Sequence, residues 1–212
     1  MKNMTKFFLV SLFAFFFINA NGQTFLVKGG SSFSSFINIT DKGRHKQPHG
    51  FKKGLFLGIS HEEALFDNFF VEAGPMLQMK GSHYSYPYTN AMTTLYLDMP
   101  ILAKLYYELA DDVFLYNAAG AYFGIGLNGY YRNSDEKINI EWSESRFGLK
   151  RLDVGFSLGI GFVFKEVQIG VGYDRGLLDI NSDIQESEYK TKNNVFRFSV
   201  GYRFGKQAEN EE

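Results

Sequence analysis

Cysteine is absent from the 212 residues, which excludes a disulfide framework, a thiolate metal site and a cysteine nucleophile. A charge excess of either sign is lacking too. With 22 Lys and Arg against 23 Asp and Glu, there is no basic footprint for nucleic acid. Beyond residue 22 no apolar run approaches the roughly 20 residues that a membrane-crossing helix needs, so an inner-membrane helical protein is excluded. Tryptophan occurs once and proline four times. What the chain has in quantity is Phe (23), Tyr (13) and Gly (22).

Their arrangement is more informative than their number. From Leu152 to Phe164 every second residue is apolar: Leu152, Val154, Phe156, Leu158, Ile160, Phe162 and Phe164. Between them lie Asp153, Gly155, Ser157, Gly159, Gly161 and Val163. The pattern recurs near the C-terminus, with Phe196, Phe198, Val200, Tyr202 and Phe204 alternating with Arg197, Ser199, Gly201 and Arg203. Successive side chains on a strand point to opposite faces, so each segment has one apolar face and one small or charged face. A soluble sandwich would place bulky β-formers, Lys and Glu on its polar face. Glycine, serine and a few charges suit the crowded lumen of a narrow barrel whose outside meets lipid.

The N-terminus agrees. Lys2 and Lys6 precede an apolar run from Phe7 to Ile18, and Ala20-Asn21-Gly22 supplies small residues for cleavage. Residues 1–22 therefore read as a secretory signal peptide, too short for a membrane span. No Cys follows it to carry a lipoprotein anchor. The remaining residues suffice for eight strands with loops, an all-β, antiparallel, up-and-down transmembrane barrel over 23–205. An acidic periplasmic tail follows over 206–212. Strands are predicted at 25–39, 51–60, 69–82, 94–107, 113–130, 152–164, 167–178 and around 196–204. The pattern blurs at 117–121, where Gly120, Gly124 and Gly126 permit a bulge. Pro75 and Pro100 predict irregularity inside the third and fourth strands. Connections alternate between short (62–68, 108–112, 165–166) and long (40–50, 83–93, 131–150, 179–193). Barrels of this kind have short periplasmic turns and longer outer loops, so both termini are expected in the periplasm.

Several runs carry a family resemblance. Tyr96-Leu97-Asp98-Met99-Pro100-Ile101-Leu102-Ala103-Lys104 resembles a strand motif of the PorT-like outer-membrane β-barrel domain of Bacteroidota. Phe25-Leu26-Val27-Lys28-Gly29-Gly30 is similar to that family's first strand. Leu152-Asp153-Val154-Gly155 with Gly159-Ile160-Gly161 resembles its sixth, and Ile169-Gly170-Val171-Gly172-Tyr173 its seventh. The resemblance spans the mature chain in order and implies a small outer-membrane barrel, usually without an assigned activity. Some relatives are associated with protein-secretion machinery. The tail through Glu211 and Glu212 departs from the pattern, since barrel-assembly signals often end at an aromatic such as Phe204.

Candidate chemistry is thin. His45 and His49 are four apart, but Gly43, Pro48 and Gly50 break the helix that would hold them as a metal pair. His61-Glu62-Glu63 lacks the second histidine of a zincin and reads as a solvated turn. His83 and Ser85 suggest a lipid-modifying hydrolase, yet no third member can be nominated for a triad. Gly124-Ile125-Gly126 and Gly159-Ile160-Gly161 lack a following helix and are lumen glycines, not phosphate loops. No cofactor is implied. A lipocalin-like carrier would need its bulky face inside, and the Gly-X-Trp start of that family is absent.

The polar face carries the stronger signal. Lys28, Lys80, Lys104, Arg197 and Arg203 oppose Glu72, Asp98, Asp153 and Asp174, a near-balanced set predicting an ion-paired plug in place of an open pore. With the third and fourth strands joined near Pro87–Tyr88, partner numbers are expected to sum to about 176. Glu72 would then lie opposite Lys104, and Lys80 diagonal to Asp98. The readings this leaves are a non-enzymatic barrel with an envelope-structural or surface-binding role, a subunit supporting secretion or transport, and a lipid-modifying barrel enzyme. Partners are outer-membrane lipid and envelope or secretion-complex proteins, with no nucleic acid.

Overall fold

The computed structural model describes residues 24–40, 43–44, 49–84, 90–132, 136–140, 142, 148–181 and 190–205. The predicted signal peptide, the acidic tail, His45 and Ser85 lie outside them.

Eight long strands form the molecule: β1 (Thr24–Thr40), β2 (Lys52–Phe66), β3 (Phe69–Ala73 and Met76–Tyr84), β4 (Asn90–Ala110), β5 (Val113–Arg132), β6 (Leu152–Phe164), β7 (Val167–Gly176) and β8 (Lys190–Phe204). Each pairs antiparallel with its neighbours in sequence, and β1 pairs with both β2 and β8, so the sheet closes on itself. Closure removes every free edge. One circuit of directly opposed residues runs Phe25, His61, Ala73, Ile101, Ala121, Phe156, Arg175, Asn194 and back to Ser35. The ladder thus returns to β1 ten residues from its start. With ordinary strand spacings, that stagger tilts eight strands by about 40° from the barrel axis.

The burial pattern is inverted relative to a soluble protein. Leu55, Leu57, Ile59, Phe123, Leu158, Phe198 and Val200 project outward and are about half exposed, whereas Lys80, Lys104, Glu72 and Asp153 inside are fully buried. Lys and Glu are almost never fully buried unless paired. The alternation read from the sequence therefore assigns the two faces as they stand.

Several boundaries differ from expectation. Residues 62–66 continue β2, so the first short connection is Asp67–Asn68, and Asp111–Asp112 and Lys165–Glu166 are the others. Asp112 and Lys165 adopt positive φ, 61° and 53°, in those tight turns. The β4–β5 ladder runs unbroken through Asn117–Ala121; the bulge falls instead at Leu127, between Leu95↔Asn128 and Tyr96↔Gly126. Residues 117, 119 and 121 face outward as Asn and Ala, which blurred the pattern without breaking the strand. Pro100 sits within β4 opposite Tyr122, and the interruption lies across from it at Gly74-Pro75 in β3. The β3–β4 partner numbers sum to 174, not 176, placing Leu102 opposite Glu72, Phe70 opposite Lys104, Thr94 opposite Lys80 and Met76 opposite Asp98. A slip of two preserves each face, because side chains repeat every second residue.

Both ends of the lumen are occupied. At the end bearing the long loops, Phe36, Ile140, Leu149 and Ile180 form a buried cluster, joined by Met92 and Trp142. Backbone bonds from Lys150 to Ile180 and from Ile180 to Thr191, both 2.9 Å, tie two loops to it. The Trp142 ring stands edge-on to Tyr96 at 5.7 Å and fills the space where any side chain at position 126 would collide. At the end bearing the short turns, Leu102, Tyr106, Tyr116, Ala118 and Val163 pack together with Phe70 and Phe114.

Candidate functional site

The inward positions of the strands bring the charged residues into two clusters joined by a central pair. Near the short turns, Glu62 Oε2 accepts from Lys104 Nζ at 2.5 Å and from the Tyr106 hydroxyl at 2.7 Å, while its Oε1 accepts from Arg203 Nη2 at 2.5 Å. Glu72 accepts from Lys28, from Lys104 at 3.0 Å and from the Ser60 hydroxyl at 2.9 Å. Lys104 also donates to Gln168 Oε1 at 3.1 Å and sits over the ring of Tyr116 at 4.6 Å. In the middle, Arg197 Nη2 donates to Asp174 Oδ1 at 2.7 Å and to the Ser157 hydroxyl at 3.0 Å. Near the long loops, Lys80 donates to Asp98 at 3.0 Å and to Asp153 at 2.9 Å, between the rings of Tyr96 and Tyr122. Asp153 Oδ2 accepts further from Tyr122 at 3.0 Å and from Asn193 at 2.8 Å.

All nine charged residues singled out from the sequence therefore face the lumen, and all nine are paired. Glu72 and Lys104 meet across one diagonal step; Lys80 reaches Asp98 from four positions along the ladder. Glu62 was missed. Local polarity reads as a solvated turn with His61 and Glu63, yet Glu62 is 1% exposed and receives three donors. The signal was parity: Gly54, Phe56, Gly58 and Ser60 occupy the inward face, and Glu62 is the next member. Including it, five cations meet five carboxylates.

Between the clusters is a cavity of about 40 Å³ lined by Lys28, Glu72, Ser157, Gln168 and Arg197, space for a few waters and nothing larger. A larger vestibule of about 570 Å³ opens at the short-turn end. Among the described residues no three His, Asp or Glu side chains gather in a metal-holding group. His83 pairs through its backbone with Gly50. Among the described residues the lumen holds fixed, mutually neutralised charge.

Comparison with known proteins fits this geometry. Residues 21–182 match the family described as outer membrane protein beta-barrel domain. Among solved structures, Ail, the attachment invasion locus protein of Yersinia pestis, is 16% identical over 86% of this chain and 99% of its own, with a TM-score of 0.43. OprG of Pseudomonas aeruginosa is 13% identical over 87% and 97%, TM-score 0.43. Neisserial surface protein A is 10% identical over 88% and 100%, TM-score 0.44. No curated protein matches the chain. The profile match covers well over half of the sequence, and the apolar outward belt is the surface such a barrel turns to lipid: the chain belongs to the outer membrane protein β-barrel domain family.

Proposed function

We propose that this outer-membrane barrel is non-enzymatic and non-conducting, serving envelope architecture or holding a surface partner through its long loops. The occlusion of the lumen carries the reading. An eight-stranded barrel is just wide enough for side chains to fill, and here they fill it as neutralising pairs beneath an apolar cap. The short turns and both chain ends then face the periplasm, the usual arrangement of such barrels. Within the family, the resemblance of the run Tyr96–Lys104 supports reading the chain as PorT-like. The vestibule at the turn end favours a second reading, a subunit of a secretion or transport complex that docks a periplasmic partner there.

Planar-bilayer recording of the purified protein is the test. No stable openings are expected, and reproducible nanosiemens channels would overturn the sealed-lumen reading. Thiol labelling of Asp111→Cys in intact and permeabilised cells reads the orientation separately.

A further inference from the structure

We propose that the outer wall of β7 and β8, at the end bearing the long loops, binds the headgroup of a phosphate-bearing membrane lipid. The phosphate sits between Arg175 and Lys192, beside a ledge of aromatic rings. The site goes beyond the sealed-lumen reading and does not depend on it.

The cations lie on the lipid side of the wall. Faces repeat every second residue, so Arg175 shares the face of Ile169 and Val171, and Lys192 that of Phe196 and Phe198. On their strands they are the first charged outward positions past the apolar belt toward the long loops. Lys53 holds the same place on β2, beyond Leu55 and Leu57. Arg175 is directly opposite Asn194 in the β7–β8 ladder, and Lys192 is two residues further along β8 on the same face. Such diagonal neighbours are about 7–8 Å apart, a gap that one phosphate closes between two long cationic side chains.

These charges are also free to take an anion. Within the described residues no ion pair engages Arg175, Lys192 or Lys53, whereas every lumen cation has one. Asp174 turns inward to Arg197, and Asp179 accepts from the backbone N–H groups of Asn181 at 3.1 Å and Thr191 at 2.8 Å. The cations at the tip of β5, Arg132 and Lys137, sit instead over the ring of Tyr130.

The rings identify the anion as a lipid. Phe156, Tyr173, Phe196 and Phe51 stand in a row across the strands, with successive centroids 6.3, 4.8 and 6.1 Å apart. Aromatic girdles mark the level where a barrel wall passes from acyl chains to headgroups. A lipid sets its backbone on that ledge and its phosphate on the cations, while free phosphate gains nothing from the rings. The surface is one-sided. Toward the same loops β3 and β4 turn Leu77, Met79, Leu95 and Leu97 outward, with neither ring nor charge among them. The short turns carry the opposite sign, with Asp67, Glu108, Asp111, Asp112 and Glu166 against Lys165. An Arg beside a Lys suits phosphate, the guanidinium engaging two oxygens and the ammonium a third.

Native mass spectrometry of the full-length barrel, ejected from nanodiscs of equal parts phosphatidic acid and phosphatidylcholine, tests the site. One phosphatidic acid is expected to stay bound about tenfold more often than phosphatidylcholine, as charge-assisted hydrogen bonds imply. Arg175→Gln/Lys192→Gln is expected to abolish the preference. Neither residue has an ion-pair partner to strand, and the heat-shifted gel band verifies folding. Phe196→Ala is expected to weaken retention, and Arg132→Gln/Lys137→Gln to leave it unchanged. Equal retention of both lipids by the unaltered barrel overturns the proposal, as does a preference that survives Arg175→Gln/Lys192→Gln. An equal fall in both double variants assigns the effect to diffuse loop-end charge and overturns it too. Oleate retained as well as phosphatidic acid, or displacement of the lipid by excess inorganic phosphate, overturns it as a site for any anionic lipid or for a free anion. Conductance is recorded separately, so an open lumen would refute the sealed-lumen reading and leave the lipid site standing.

Discussion

Lys80 and Lys104 are both fully buried lysines bridging two carboxylates, yet their removal is expected to have different consequences. Replacing Lys104 with Met strands neither partner completely: Glu62 keeps Arg203 and Tyr106, and Glu72 keeps Lys28 and Ser60. Replacing Lys80 with Met leaves Asp98 and Asp153 without any cation, since Asp153 retains only the neutral donors Tyr122 and Asn193. Breaking a buried pair typically costs about 3–5 kcal/mol through the uncompensated charge. Lys104→Met therefore belongs near about 3 kcal/mol and Lys80→Met at about 5 kcal/mol or above. Urea unfolding of lipid-embedded protein, followed by the heat-modifiable gel band, reads the difference. At slopes of about 2 kcal/mol/M the midpoints fall by about 1.5 M and 2.5 M. Adding Asp98→Asn to Lys80→Met is expected to recover about 2 kcal/mol by removing one stranded charge. If Lys104→Met proved as damaging as Lys80→Met, or if the Asp98→Asn rescue failed, counting alternative partners would be the wrong way to rank these sites.

Further outcomes follow from the two faces of the wall. Val200→Arg puts a cation on the lipid side and is expected to lower stability by about 2–4 kcal/mol, seen as a weakened heat-shifted band. Gly159→Ser is expected to assemble normally, because a β-carbon there meets nothing nearer than 3.5 Å. Gly30→Val is expected to block assembly, since its β-carbon would lie 1.9 Å from the Phe198 carbonyl oxygen across the β1–β8 ladder. Glu62→Gln removes the negative charge shared by Lys104, Arg203 and Tyr106, turns one of its two accepting oxygens into a donor, and is expected to cost about 3 kcal/mol in the same urea assay.

Faces proved more legible than edges and levels. Parity alone assigned Lys28, Lys80, Asp153 and Arg203 to the interior, because a strand offers each side chain only two directions. Register is different information. It is set by the hairpin connection, and placing that connection one residue too far along displaced every β3–β4 partner by two. Strand ends misled where local polarity looked like a turn, as at Glu62-Glu63, because the charge there is satisfied by residues 40 or more positions away. The loop-end cap was invisible for a related reason. Ile140, Leu149 and Ile180 lie in connections whose composition reads as polar loop, and only their convergence makes a core.

The wiring of the lumen has a consequence for the order of events in folding. Arg203, on the last strand, finds its carboxylate on β2; Lys80 on β3 finds one of its two on β6; Lys28 on β1 finds its own on β3. The β3–β4 hairpin pairs its own lumen charges, Lys80 with Asp98 and Lys104 with Glu72, but the pairs of Lys28, Asp153 and Arg203 each reach beyond one hairpin. The first four strands hold a partner for each of their lumen charges, whereas the last four leave Asp153 and Arg203 without an opposite charge until they meet Lys80 and Glu62 of the first half, an unfavourable state inside a bilayer. The last strand is also the one whose arrival satisfies Glu62 and Asp174. Joining the two halves is thus what neutralises Asp153 and Arg203, which ties burial of the last strands to closure of the ring.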